Sequence, residues 1–211
     1  AMLGTSLVTH QTDDKGLPSE PEAPPIRKYE GATYYRIPME GVVGRQILAD
    51  NLRKSLDDAI QRKPTAVILD INSPGGSVAE CEKILDMLRK YNRKLRIVAY
   101  ADDALSAAAI ISLACPEIYM RPSGRIGAAT SYDPTNLFLP AHLEEKMQSA
   151  WRATARAAAA AAGHNPLLAE AMIDRKMVLH LDESGGGKIV RSGRARGKDK
   201  RVICPAGKLL T

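Results

Sequence analysis

Ile71-Asn72-Ser73-Pro74-Gly75-Gly76 is the segment of this 211-residue chain best suited to chemistry, read together with Ser106 and Lys146 further along. It follows the apolar run Ala66-Val67-Ile68-Leu69 and leads into a helical pattern, so it is a strand-to-helix turn. Its two glycines let backbone N–H groups approach a ligand with no Cβ in the way. Donors placed so suit the negative charge that grows on a carbonyl oxygen during acyl transfer. Such a reaction also needs a nucleophile and a base. Taken locally, Ser106 reads as an N-cap serine, which satisfies orphan N–H groups and needs no chemistry. Lys146, in Glu144-Glu145-Lys146, reads locally as a solvated helical lysine paired with a neighbouring glutamate. The residues alone leave both roles open.

The elements that must position these groups alternate. Tyr34-Tyr35-Arg36-Ile37 begins a strand, and Ile47, Leu52, Leu56, Ala59 and Ile60 mark one helix face. The run 66–71 reads as a buried strand, followed by a helix striped by Val78, Cys81, Ile84, Leu85, Leu88 and Tyr91. Arg96 to Tyr100 is a strand before a small-residue helix from Ser106 to Ala114, and Ile118-Tyr119-Met120 a short strand. An Ala-rich helix spans about 141–162 and stops near Gly163. Met177 to Leu181 and Val202 to Cys204 can pair around a basic loop. Strands alternating with helices predict a single α/β domain over residues 31–211. Residues 1–30, rich in Pro, Glu and Asp, read as a flexible arm.

Composition narrows the classes mildly. With 45% apolar and 26% charged residues the chain is ordinarily globular, and no run approaches the length of a membrane span. Lys188, Arg191, Arg194, Arg196, Lys198, Lys200 and Arg201, against Asp199, account for the whole net charge of +6. The triple glycine at 185–187 and the lack of interleaved aromatics favour a mobile loop over 183–201 rather than a nucleic-acid surface. Cys81, Cys115 and Cys204 lie inside periodic segments and are expected as buried thiols. No His/Cys/Asp cluster has metal spacing, so no metal is expected.

Three motifs in register carry a family resemblance: Ile71-Asn72-Ser73-Pro74-Gly75-Gly76-Ser77-Val78, Ala104-Leu105-Ser106-Ala107-Ala108 and Arg125-Ile126-Gly127-Ala128-Ala129. Over about residues 34–175 the chain resembles the superfamily of the Clp protease proteolytic subunit and signal peptide peptidase A, in particular the NfeD-type, membrane-associated serine proteases. The resemblance implies the Clp/crotonase spiral of β-β-α units. It implies Ser106 as nucleophile and Lys146 as base, with the N–H groups of Gly76 and Ala107 forming the oxyanion hole and Gly75 shaping the turn. It further implies an extended substrate lying between 76–78 and 128–130, in contact with Gly75, Ser77, Val78, Ala128, Ala129 and Thr130. A Clp-type histidine base is not expected, because histidine occurs only at positions 10, 142, 164 and 180. A lysine base needs an apolar cleft that disfavours its charged form, for which Met147, Ala150 and Trp151 are at hand. Leu105, Asp102 and Asp103 depart from the small residues usual there and are expected to narrow or charge the cleft.

The function the resemblance implies is a serine endopeptidase acting on apolar peptide or membrane-protein segments by a Ser–Lys dyad, as a homo-oligomer, with neither metal nor cofactor. Two rivals share the fold, a non-catalytic assembly or binding module and a crotonase-like acyl-CoA enzyme. Ala1 before Met2 resembles a tag remnant, and Gly207 to Thr211 is an apolar run without a stop signal. The expectation is a fragment of an extracytoplasmic protein, anchored to a membrane by segments outside this chain.

Overall fold

The structure, a computed structural model, describes residues 31–130, 140–182, 188–191, 200–205 and 210. Residues 32–211 form one compact unit. Strands β1 (Tyr34–Glu40), β2 (Ala66–Ser73), β3 (Ile97–Leu105) and β4 (Glu117–Gly127) make a parallel sheet in the order β1-β2-β3-β4. The crossovers are α1 (Ala49–Arg62), α2 (Val78–Tyr91) and α3 (Ala107–Leu113). Sequence-adjacent strands are spatial neighbours, so crossovers of one hand stack these helices on one side of the sheet.

Burial follows the strand period. Val67, Leu69 and Ile71 are fully buried with Leu56 and Ala59 of α1, Cys81, Ile84 and Leu88 of α2, and Ile110 and Ile111 of α3. Ala66, Ile68 and Asp70 point to the other face and are only half-buried, so β2 is covered on one side rather than both. That outer face is laced by arginine–carboxylate pairs: Arg36 with Asp70, Arg96 with Glu117, Arg121 with Asp102 and Arg125 with Asp103.

Helix α4 (Ala141–Ala161) and short α5 (Pro166–Ala171) follow, then an antiparallel sheet β6-β5-β7 built from β5 (Leu179–Asp182), β6 (Lys188–Arg191) and β7 (Lys200–Cys204). The expected pairing of the segments near 177–181 and 202–204 is present as β5 with β7. The mobile basic loop requires correction at residues 188–191, which are a strand in register with β5. Arg191 there pairs with the buried carboxylate of Glu170 in α5, which also faces Arg156 of α4. Residues 183–187 and 192–199, with the arm 1–30, lie outside the described residues. All three cysteines are free and buried, and burial pushes the Cys115 thiol up to about 12.

Candidate active site

The turn after β2 is held from behind. The hydroxyl of Ser73, fully buried, accepts the Gly75 N–H at 3.1 Å. Val43 pairs with the turn on one side: its N–H donates to Gly75 O and its carbonyl accepts from Ser77 N–H, each at 2.8 Å. Gly75 and Gly76 have φ of 96° and 149°, a region that glycine reaches without penalty. Each also lacks room for a side chain. A Cβ on Gly75 would meet the Ser106 side chain and lie 2.7 Å from Leu105 O, while one on Gly76 would collide with the Val43 carbonyl. Ser77 caps α2, its hydroxyl accepting from Glu80 N–H.

Ser106 stands between β3 and α3 with φ 55° and ψ −124°, an uncommon conformation for a non-glycine residue that costs on the order of 1–3 kcal/mol. Its N–H donates to Gly127 O at 2.8 Å. Although at the N-cap position, its hydroxyl makes no cap bond, so the local reading of a capping serine does not hold. Gly127 leads into Ala128, also at positive φ (49°). A half-exposed serine on a strained strand-to-helix turn, its hydroxyl unused, is the arrangement that presents a nucleophile. Of the nearby donors, Gly75 N–H is taken by Ser73, whereas those of Gly76 and Ala107 have no acceptor among the described residues. The acidic residues beside the turn are neutralised: Asp102 accepts from Arg121 at 2.8 Å and Asp103 from Arg125 at 2.9 Å. The hydrogen bonds from Arg125 hold the Asp103 carboxyl below its ordinary range.

The other side of the cleft departs from expectation. Ala129 is fully buried; its N–H donates to Met172 O at 2.6 Å and its carbonyl accepts from the Trp151 indole at 2.8 Å. Ala128 N–H donates to Leu210 O, and the Thr130 hydroxyl to Ile173 O. The backbone N–H groups of Ser77, Ala128 and Ala129, three of the residues expected to contact substrate, are thus already used within the chain. Gly76, Val78 and Thr130 keep main-chain groups for an extended peptide.

Lys146 lies in the N-terminal half of α4, and it is exposed. Its expected apolar surround is not formed among the described residues: Ala150 is exposed, Met147 is 49% exposed, and of the three only Trp151 turns inward, at 3%. The pairing with Glu144 or Glu145 is also not seen, since Glu145 accepts from Arg152 at 2.6 Å and Lys146 has no ion pair among the described residues. No hydrogen bond joins Lys146 to Ser106. A groove of about 540 Å³ opens elsewhere, on the outer sheet face between Tyr34, Ile68, Val98, Tyr100 and Tyr119. Among the described residues, no cluster of three or more His, Cys, Asp or Glu could hold a metal ion.

A parallel sheet, a glycine turn with free donors and a strained serine at the next strand's end define a Clp-like α/β domain. Two solved structures of the 1510-N membrane-bound stomatin-specific protease, both mutants and one bound to a substrate peptide, share this fold. Their TM-scores are 0.59 and 0.58 at 21% identity, over 68% of this chain and 70% and 67% of theirs. Residues 33–198 match the family described as NfeD1b, N-terminal domain, and the chain belongs to it. The membrane protein NfeD1b of Bacillus subtilis (strain 168) is 38% identical over 148 residues, which is 70% of this chain and 32% of that protein. The chain thus spans about a third of the length of that relative. No helix among the described residues is long and apolar enough to cross a membrane.

Proposed function

We propose that this domain is a serine endopeptidase that cleaves apolar peptide segments through an acyl-enzyme, with Ser106 as nucleophile and Lys146 as general base. The observation that carries the reading is Ser106 itself, held at φ 55° with its hydroxyl unused beside the free N–H groups of Gly76 and Ala107. The neutral amine of Lys146 takes the Ser106 proton as Oγ bonds to the scissile carbonyl carbon, and the oxygen's new charge is received by those two N–H groups. Collapse expels the peptide amine, which leaves with the proton from the Lys146 ammonium. Water, deprotonated by the regenerated amine, then attacks the acyl-serine and releases the acid.

Substrate preference follows from the surroundings of the base. Leu143 and Met147 present apolar surface on either side of Lys146. An apolar peptide seated on them withdraws the amine from water, which disfavours its charged form and readies it as a base. The relatives support a setting at a membrane, one being named a membrane protein and the other a membrane-bound protease. On that likeness the substrate is a membrane-proximal segment, and the working form is an oligomer anchored by segments outside this chain.

The exposure of Lys146 also favours a second reading, a binding module in which the serine is never activated. A fluorophosphonate probe, which traps activated serines, separates the two. Labelling at Ser106 should occur in the wild type and vanish in Ser106→Ala. Lys146→Ala should cut apolar-peptide cleavage by at least about 10³-fold with an unchanged circular dichroism spectrum. Labelling that survives in Ser106→Ala, or full cleavage by Lys146→Ala, defeats the dyad.

A further inference from the structure

Helix α4 leaves the body of the protein where its base is carried. His142, Leu143, Glu144, Glu145, Lys146, Met147, Ser149 and Ala150 are all exposed, and Gln148 is half-buried. Among the described residues, Trp151 is the first side chain of the helix to be buried as a whole, and Lys146 lies on the more exposed stretch before it. Lys146 is five residues before it, roughly 7.5 Å along the axis at about 1.5 Å per residue.

Trp151 is held by a directional bond as well as by packing. Its buried indole N–H donates to Ala129 O at 2.8 Å. Ala129 is fixed from the opposite side through Met172 O, and two residues back Gly127 O accepts the Ser106 N–H. A short covalent and hydrogen-bonded path therefore runs from the nucleophile turn, through 127–129, to the helix of the base. It includes Ser106 and Ala128, two of the three non-glycine residues at positive φ among the described residues, a conformation kept only where the surroundings over-determine it. A buried indole N–H must find an acceptor, and the acceptor here lies in the segment just after β4, two residues beyond Gly127.

We infer that Trp151 is a positioning residue for the reaction: its indole hydrogen bond to Ala129 sets the placement of Lys146 relative to Ser106. The inference rests on the dyad reading above. It predicts an effect on turnover rather than on binding, because Trp151 is buried and its indole N–H is bonded to the main chain of Ala129.

The chain has one tryptophan, so an isostere can be introduced at that position alone. Benzothienylalanine keeps the ring shape and replaces the N–H by sulfur; Trp151→Phe is the encoded counterpart. With an apolar peptide, the isostere should lower kcat by roughly ten- to a hundredfold while KM stays within about twofold, as a slight misplacement of a catalytic group does. Fluorophosphonate labelling of Ser106 should slow in step, and the thermal transition of the isostere should remain close to that of the wild type. An isostere with unchanged kcat overturns the inference. So does a rate loss that disappears once kcat is corrected for the folded fraction, which would reduce Trp151 to a packing residue. An inert wild type fails the dyad reading and this inference together, whereas an active wild type with an equally active isostere fails this inference alone.

Discussion

The two halves of the candidate site are built to different standards. On the side of Gly75, Gly76 and Ser106 nearly every group is fixed. Ser73 holds Gly75, Val43 brackets the turn, Gly127 holds Ser106, and buried α3 stands behind Ala107. On the side of Lys146 the chain runs through a largely exposed half-helix, in which Gln148 is half-buried and Trp151 is buried. Electrostatic stabilisation of an oxyanion requires donors that do not reorganise during the reaction, so rigidity belongs on the first side. A base needs instead to be withdrawn from water when substrate is present, and an exposed helix with apolar flanks allows the substrate to do this. On the proposed reading, the difference teaches that the donors are fixed before binding and the base is completed by it.

The comparison is broken most severely on the rigid side. Gly75→Ala puts a methyl group against the Ser106 side chain and 2.7 Å from Leu105 O, at a φ of 96° that alanine resists. Neither the strained Ser106 turn nor the backbone of β3 can yield freely. Expected losses are about 2–4 kcal/mol of stability, in the range of overpacking plus backbone strain, and at least about a hundredfold in cleavage rate. Chemical denaturation and peptide cleavage measured on the same sample check both. A variant as stable and active as the wild type would show that the turn has slack.

A milder test sharpens the soft side. Leu143→Ser with Met147→Ser removes exposed apolar surface, 39% and 49% accessible, without opening a cavity. Stability should move by less than about 0.5 kcal/mol, as for exposed positions generally. For apolar peptides KM should rise several-fold, because the apolar surface that seats them is lost. Measuring kcat and KM for apolar and polar peptides decides it. An equal effect on both peptide classes would remove the role of Leu143 and Met147 in selectivity.

How much of this the sequence discloses follows from which interactions are local. Period-two and helical patterning are local, and β1 to β3, α1 to α4 and the hairpin of β5 with β7 are legible from them. Strand β4 is longer than Ile118-Tyr119-Met120 because Pro122 and Gly124 break the pattern. A register shift with β3 accommodates them, and Gly124 lies against Ala101 O and Asp102 O. Helix α5 carried a readable start, Asn165 capping Leu167 N–H with Pro166 at the first turn. The short strand β6 sits in a basic, glycine-rich context, and only its pairing with β5 and the Arg191–Glu170 contact reveal it. In the site, the glycine turn and Ser106 were legible as motifs. The free donors, the Val43 bracket and the internal use of Ala129 depend on contacts distant in sequence. The exposure of Lys146 was hidden for a related reason. Met147 and Trp151 are one turn apart on the same helix face, yet only Trp151 reaches the body.

The smallest expected effect probes the support behind the rigid side without touching its chemistry. Ser77-Val78-Ala79-Glu80 has the spacing of a capping box, in which the glutamate would return to the cap's own N–H. Here the Glu80 carboxylate instead accepts the N–H of Ala49, the first residue of α1, at 2.7 Å, and pairs with Lys83 at 3.0 Å. It thereby joins the start of α1 to the helix that the glycine turn leads into. The Ala49 N–H is the main cause that holds the Glu80 carboxyl below its ordinary range, with Lys83 next. A depressed carboxylate stabilises the fold above its unfolded value, and that contribution is lost as pH falls through the folded one. Glu80→Gln can still accept the Ala49 N–H but carries no charge. It should destabilise by about 1 kcal/mol at neutral pH, the difference between charged and neutral acceptors. The gap between variant and wild type should close on acidification, as the wild-type carboxylate also becomes neutral. Thermal unfolding of both proteins from neutral to strongly acidic pH measures the gap. A gap that stays constant across that range would assign the cost to lost packing. In either case Ser106 labelling at neutral pH should be unaffected, since Glu80 supports the base of α2 and does not border the free donors.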